Sequence, residues 1–178
     1  MSHAARHLVT EAEYLALPES AERVELIDGE LAVSPSPSFW HQETLRRLVT
    51  QLSNWADNLD RSVTVGMAPL DVRFAPNRIL QPDLFVLLGT LAKDHEGPLD
   101  AVPELCVEVL STNRLHDRVT KRLIYAAAGV KELWTVERAQ FIECWTGDAL
   151  ENVRAESERL TSPVLDGFEL DVQAVFAD

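Results

Sequence analysis

The stretch Leu105-Cys106-Val107-Glu108-Val109-Leu110 is apolar at every position but one, and the exception is a carboxylate near its centre. A half-exposed strand alternates apolar with polar residues, so an extended run with both faces apolar belongs in the interior of a sheet. Burying a lone carboxylate there costs several kcal/mol unless a cation, a donor or a metal meets it. Residues 84–88, Leu84-Phe85-Val86-Leu87-Leu88, form a second run of the same kind, opened by Asp83. If the two runs are neighbouring strands, Asp83 and Glu108 converge. Two hard oxygen ligands, with room left for water and a substrate phosphate, suit Mg2+ or Mn2+ better than Zn2+. Standing alone, either residue could equally flank a strand end in water.

Working outward, helices interrupt strands. Downstream, Val119, Leu123, Ile124 and Ala127 predict an apolar stripe on a helix over 115–128, with Gly129 as its C-cap. Residues 131–136 read as a strand, 141–145 and 150–155 as a hairpin around Gly147-Asp148, and 170–176 as a short helical turn. Upstream, Thr10-Glu11-Ala12-Glu13 has the form of a capping box for a helix ending by Pro18. Asp28-Gly29 separates two short apolar runs and predicts a tight hairpin. After Pro35-Ser36-Pro37-Ser38, the spacing of Leu45, Leu48, Val49, Leu52, Trp55, Ala56 and Leu59 predicts a long amphipathic helix packed on a sheet. Leu70, Val72 and Phe74 alternate as a half-exposed strand, with a turn at Pro76-Asn77. The fold class is α/β (α+β), a central mixed sheet flanked by helices within a single domain spanning 1–178, of which 1–9 are expected to be flexible.

Composition narrows the function. The chain has 178 residues, 46% of them hydrophobic, which suits one domain with a full core. Sixteen Lys and Arg against 29 Asp and Glu leave a net charge of −13, the wrong sign for coating nucleic acid or anionic lipid. The basic exception is 114–131, where Arg114, Arg118, Lys121, Arg122 and Lys131 stand against Asp117 alone. Two cysteines, Cys106 and Cys144, lie in apolar runs and supply neither a disulfide framework nor a zinc cluster, so a cytoplasmic protein is expected. No signal peptide or membrane span is apparent. Trp40, Trp55, Trp134, Trp145 and the phenylalanines follow helix and strand faces and are read as core or interface, with no base-stacking platform. Serine-hydrolase and nucleotide-loop motifs are absent.

The order of the acidic groups carries more than any one of them. A Glu lies in the first hairpin, Pro-Asp heads a strand, Glu lies within the next and Lys on the following helix. The matching segments are Val24-Glu25-Leu26-Ile27-Asp28-Gly29-Glu30, Ser34-Pro35-Ser36-Pro37 with His41, and Gln81-Pro82-Asp83. They continue with Val107-Glu108-Val109-Leu110-Ser111, then Asp117, Lys121, Tyr125 and Gly129-Val130, Glu132-Leu133-Trp134 and Leu165-Asp166-Gly167-Phe168-Glu169-Leu170. In this order they resemble the Uma family (Uma-two group) of restriction-endonuclease-like proteins, in the PD-(D/E)XK nuclease superfamily. The superfamily's lysine normally stands two residues after the second acidic ligand, where this chain has Leu110. In this family it has moved to the next helix, which makes Lys121 the candidate.

The resemblance implies a restriction-endonuclease-like fold and a divalent-metal-dependent endonuclease acting on DNA. Asp83, Glu108 and the Val109 carbonyl would hold Mg2+ or Mn2+, with Lys121 orienting the nucleophile. An ordinary i,i+4 ion pair with Asp117 is the competing role for Lys121. Glu25 is a fourth acidic group, either catalytic or a solvated hairpin residue. His41 could reach the pocket from the start of the long helix or be structural, and Ser111 could meet phosphate or cap the next helix. A homodimer would suit cutting of two strands. The competing functions are a catalytically quiet binding or assembly module on the same fold, and a metal-dependent hydrolase of a smaller phosphate substrate.

Overall fold

The computed structural model describes residues 8–18, 22–110 and 115–177, with the side chains of 115–118 excepted. Thr10 caps α1 (Glu11–Leu15): its hydroxyl accepts from the Glu13 N–H at 3.2 Å and the Glu13 carboxylate accepts from the Thr10 N–H at 2.8 Å. Strands β1 (Arg23–Ile27) and β2 (Glu30–Ser34) pair antiparallel around Asp28 and Gly29. Their φ angles of 51° and 85° belong to the turn that follows strand twist, which explains the Asp-Gly pair. The Val9 N–H donates to the Gly29 carbonyl at 2.8 Å. Ser38 then caps α2 (Phe39–Asp57), whose Leu45, Leu48 and Leu52 are buried.

Three short strands follow, β3 (Thr64–Met67), β4 (Val72–Ala75) and β5 (Arg78–Leu80), and then the two apolar runs, β6 (Leu84–Leu87) and β7 (Leu105–Val109). Helix α3 (Leu115–Ala128) leads to β8 (Glu132–Glu137), the hairpin of β9 (Phe141–Thr146) and β10 (Asn152–Glu156), the small pair β11 (Arg159–Thr161) and β12 (Glu169–Asp171), and α4 (Val172–Phe176). The large sheet runs β10-β9-β8-β7-β6-β3, so β6 and β7 are adjacent central strands. Strands β7 and β8 pair parallel across the α3 crossover, while the other pairs of this sheet are antiparallel. A second sheet, β2-β1-β5-β4, carries the first hairpin. The expected class holds: a mixed sheet flanked by helices, with a hairpin near each end of the chain.

Strand alternation divides the core. Leu84, Val86, Leu105, Val107 and Val109 pack toward α2 and the C-terminal elements, while Phe85, Cys106 and Leu133 pack with Ile124 and Tyr125 of α3. The expected stripe on α3 is corrected by this packing. Val119 and Leu123 are about half exposed, and Lys121, Ile124 and Tyr125 form the buried face. The helix turns to bring a lysine and a tyrosine inward because carboxylates lie opposite. Phe39, read as core or interface, is 85% exposed and so is not a core residue. Among the described residues, no helix is long and apolar enough to cross a membrane.

Candidate active site

Leu84 pairs with Val107 and Phe85 with Cys106. One more step of that register sets Asp83 opposite Glu108, on the face that meets α3. The next step sets Pro82 opposite Val109, and a proline has no N–H to continue the ladder. The Leu110 N–H turns to β8, donating to the Val136 carbonyl at 3.0 Å, so the N–H and C=O of Val109 turn toward β6. There the Val109 N–H donates to Asp83 Oδ2 at 2.7 Å, and Pro82 leaves the Val109 carbonyl without a ladder donor. The Pro-Asp pair thus ends the strand and frees a backbone oxygen beside two carboxylates.

Charged groups from four elements close on this point. Lys121 Nζ of α3 lies 2.9 Å from Glu25 Oε1 of β1 and 3.2 Å from both carboxylate oxygens of Glu108. The Tyr125 hydroxyl, one turn on, donates to Glu108 Oε1 at 2.5 Å. Arg23, at the head of β1, reaches Asp83 Oδ1 at 2.5 Å and Glu25 Oε1 at 3.3 Å. His41 Nε2 of α2 is 3.1 Å from Asp83 Oδ2, and the Gln81 N–H donates to Glu25 Oε1 at 2.8 Å. Glu25, Asp83, Glu108 and Lys121 are all buried.

Burial and charge set the protonation states. Burial would raise the Asp83 carboxyl, but the hydrogen bond from His41 and the charge of Arg23 hold it well below the usual range. Glu108 is pushed up to about 7, by burial first and by Asp83 and Glu25, against the pull of Lys121 and Arg23. Burial alone would discharge Lys121, yet Glu108 and Glu25 raise its pKa above the usual lysine value and keep it an ammonium.

The donor set fits a hard divalent cation. Among the described residues, Asp83 Oδ1 accepts only from Arg23 and Glu108 Oε2 only from Lys121. A carboxylate oxygen offers about two lone pairs, so each keeps one open. Two carboxylates and a carbonyl, without a cage, suit an ion that retains several waters. Among the described residues, no group of three or more His, Cys, Asp or Glu side chains is placed to hold a metal ion.

A cleft of about 620 Å3 opens on this cluster, walled by Arg23, the 34–38 segment, Trp40, His41, Met67, Pro69 and Arg138. Trp40, read as core or interface, is a cleft wall, with the Arg138 guanidinium 5.2 Å from its ring centre. The structure brings together Glu25, Asp83, Glu108, Val109, Lys121 and His41. Ser111 lies outside the described residues, as does the side chain of Asp117. Of the basic residues of 114–131, Arg122 donates to the Leu150 carbonyl at 2.7 Å and stacks on Trp145, away from the cleft. Sequence reasoning missed Arg23, whose partner Asp83 lies 60 positions away. It placed Tyr125 among the segments that carry the family resemblance but gave it no role in the site.

Comparison with known proteins follows the same direction. The model of the family described as "Uma2: Putative restriction endonuclease" matches residues 11–173. Among solved structures, a protein of Anabaena variabilis described as a "putative nuclease belonging to DUF820" superposes with a TM-score of 0.78 at 19% identity. That likeness covers 94% of this chain and 97% of the other, and it shows the shared fold. A search of curated proteins found no match.

Proposed function

Since the chain belongs to the Uma2 family, described as "Putative restriction endonuclease", we propose that it hydrolyses phosphodiester bonds in DNA, with Mg2+ or Mn2+ as cofactor. The observation that carries this reading is the convergence of Asp83, Glu108 and Lys121, all buried, at the floor of an open cleft. Asp83 and Glu108 would hold the cation with the Val109 carbonyl. When bound, a divalent ion lowers the pKa of a water and neutralises charge on a phosphate.

Lys121 is placed to orient the attacking oxygen and to meet charge developing on the phosphoryl group, where a water-poor site strengthens it. Glu25 holds Lys121 in place, because its Oε1 is already committed to that ammonium and to the Gln81 N–H. Tyr125 fixes the Glu108 rotamer. Charge balance supports the scheme. With Glu108 ionised, as a cation bound to it would favour, three carboxylates against Arg23 and Lys121 leave −1, a divalent ion makes +1, and a phosphodiester brings the loaded site to zero. Without the ion, the site and the chain's −13 both repel phosphate.

The test is incubation of the protein with supercoiled plasmid and with single-stranded DNA. Mn2+ or Mg2+ should support cutting and EDTA should stop it, and Asp83→Asn should remove it with a cooperative melt retained. Cutting that persists in EDTA, or calorimetry showing no divalent ion bound, would sink the proposal. The cleft's volume of about 620 Å3 also suits a second reading, a smaller phosphate ester as substrate, which assays on mononucleotides and dinucleotides separate from DNA cutting. Cutting both strands of a duplex calls for a homodimer, which sedimentation tests.

A further inference from the structure

The cluster holds one cation more than the proposed chemistry uses. Lys121 is enclosed, its side chain 4% exposed, with three carboxylate contacts. The Arg23 side chain is 20% exposed and lines the cleft. Its two terminal nitrogens serve Asp83 and Glu25, but its Nε is buried and has no partner among the described residues. A buried N–H left unpaired is destabilising. The guanidinium therefore neutralises the acids at the expense of its own hydrogen bonding. It also sits on Asp83 Oδ1, the oxygen of that carboxylate with an open lone pair. A divalent ion drawn to that oxygen meets a like charge in contact with it. Of the two basic side chains, only Arg23 has a way out.

Resting on the metal-site reading above, we propose that Arg23 is a displaceable counter-ion that neutralises Asp83 and Glu25 in the metal-free protein and turns into the cleft when a divalent cation takes the carboxylates. There its fork of N–H donors matches a phosphate oxygen pair, a geometry that suits arginine better than lysine. Metal loading and phosphate capture are then positively coupled, because the first event frees the group that makes the second. The open pose also hydrates Nε, which relieves the unpaired donor.

Calorimetric titration with Mn2+, followed by a phosphorothioate-linked thymidine dinucleotide that resists cleavage, tests this on the whole protein. Arg23→Gln should bind Mn2+ about tenfold more tightly than the natural protein, because a competing charge is gone. Mn2+ should strengthen dinucleotide binding in both proteins through its own charge, and about tenfold more in the natural protein than in Arg23→Gln. Arg23→Lys keeps a charge but cannot span both acids, so it should bind Mn2+ about threefold more tightly and carries the test if the glutamine variant fails to fold. Equal or weaker Mn2+ binding by the folded variants overturns the displacement and leaves the metal site standing. Coupling as strong in Arg23→Gln as in the natural protein overturns its role at phosphate. A natural protein that binds no Mn2+ overturns this inference and the metal-dependent reading together.

Discussion

Glu108 on β7 and Glu132 on β8 are both buried carboxylates on adjacent central strands, yet they are met in opposite ways. Glu132 faces the α2 side of the sheet, where it accepts from the Trp134 indole N–H at 2.8 Å and from the Ser162 hydroxyl. Glu108 faces the α3 side, held by an ammonium and a tyrosine beside a second carboxylate, and it borders the cleft. Two neutral donors are enough to keep a carboxyl inside this fold, where it ties the 162–165 segment to the sheet. A cluster of three acids and two cations, with lone pairs left open, exceeds what packing requires. Strain of that kind is kept where chemistry needs it.

The contrast can be broken most decisively at Lys121. Lys121→Ala should lower metal-supported cutting by about 10^2–10^3-fold, the scale of losing a group that meets transition-state charge. The variant should still melt cooperatively, because Glu108 already holds its proton up to about 7 and can go neutral. Cutting within tenfold of the natural protein would make this cluster as structural as Glu132. Tyr125→Phe removes one donor to a proposed metal ligand and should cost about 10–100-fold in Mn2+ affinity, read by calorimetry. Glu132→Gln should leave cutting unchanged.

That last variant also carries a pH signature. Burial raises the Glu132 carboxyl above its ordinary value of 4.5, against the hydrogen bonds from Ser162 and Trp134. The folded chain holds this proton more tightly than the unfolded one, so the group's contribution is fully present below 4.5 and is lost as pH rises through the folded value. Thermal melts should show Glu132→Gln gaining on the natural protein as pH rises from the carboxylate range toward neutrality. A constant difference would remove the buried-neutral account of Glu132. The smallest effect lies on the outer face of α3. Leu123→Ser should change stability by less than about 0.5 kcal/mol. Ile124→Ala beside it should cost about 2–4 kcal/mol.

The helix pair shows where reading the chain succeeds and where it stops. Asp83 and Glu108 were legible because a carboxylate against an apolar strand is a local anomaly, and Asp28-Gly29 because its turn chemistry is local too. The α3 stripe was misread because periodicity counts apolar residues, whereas the buried face is chosen by what lies opposite, here Glu25 and Glu108. Arg23 and the trapping of Lys121 by Glu25 depend on pairings 60 and 96 positions apart, which no window along the chain contains. Strand β3 escaped notice for another reason. Gly66 gives it a weak pattern, yet the Phe85 ring lies where a Cβ at that position would stand.

The crossover from β7 through α3 to β8 also sets an order in time. Glu108 meets Lys121 and Tyr125 by closing loops of 13 and 17 residues, whereas Lys121 must wait for Glu25 across 96. Closing a longer loop costs more entropy and slows the search. The β7–α3 half of the site can therefore collapse and neutralise itself first, and the hairpin bearing Arg23 and Glu25 arrives afterwards as a clamp, so that refolding should restore the Tyr125 environment before the Arg23 contact.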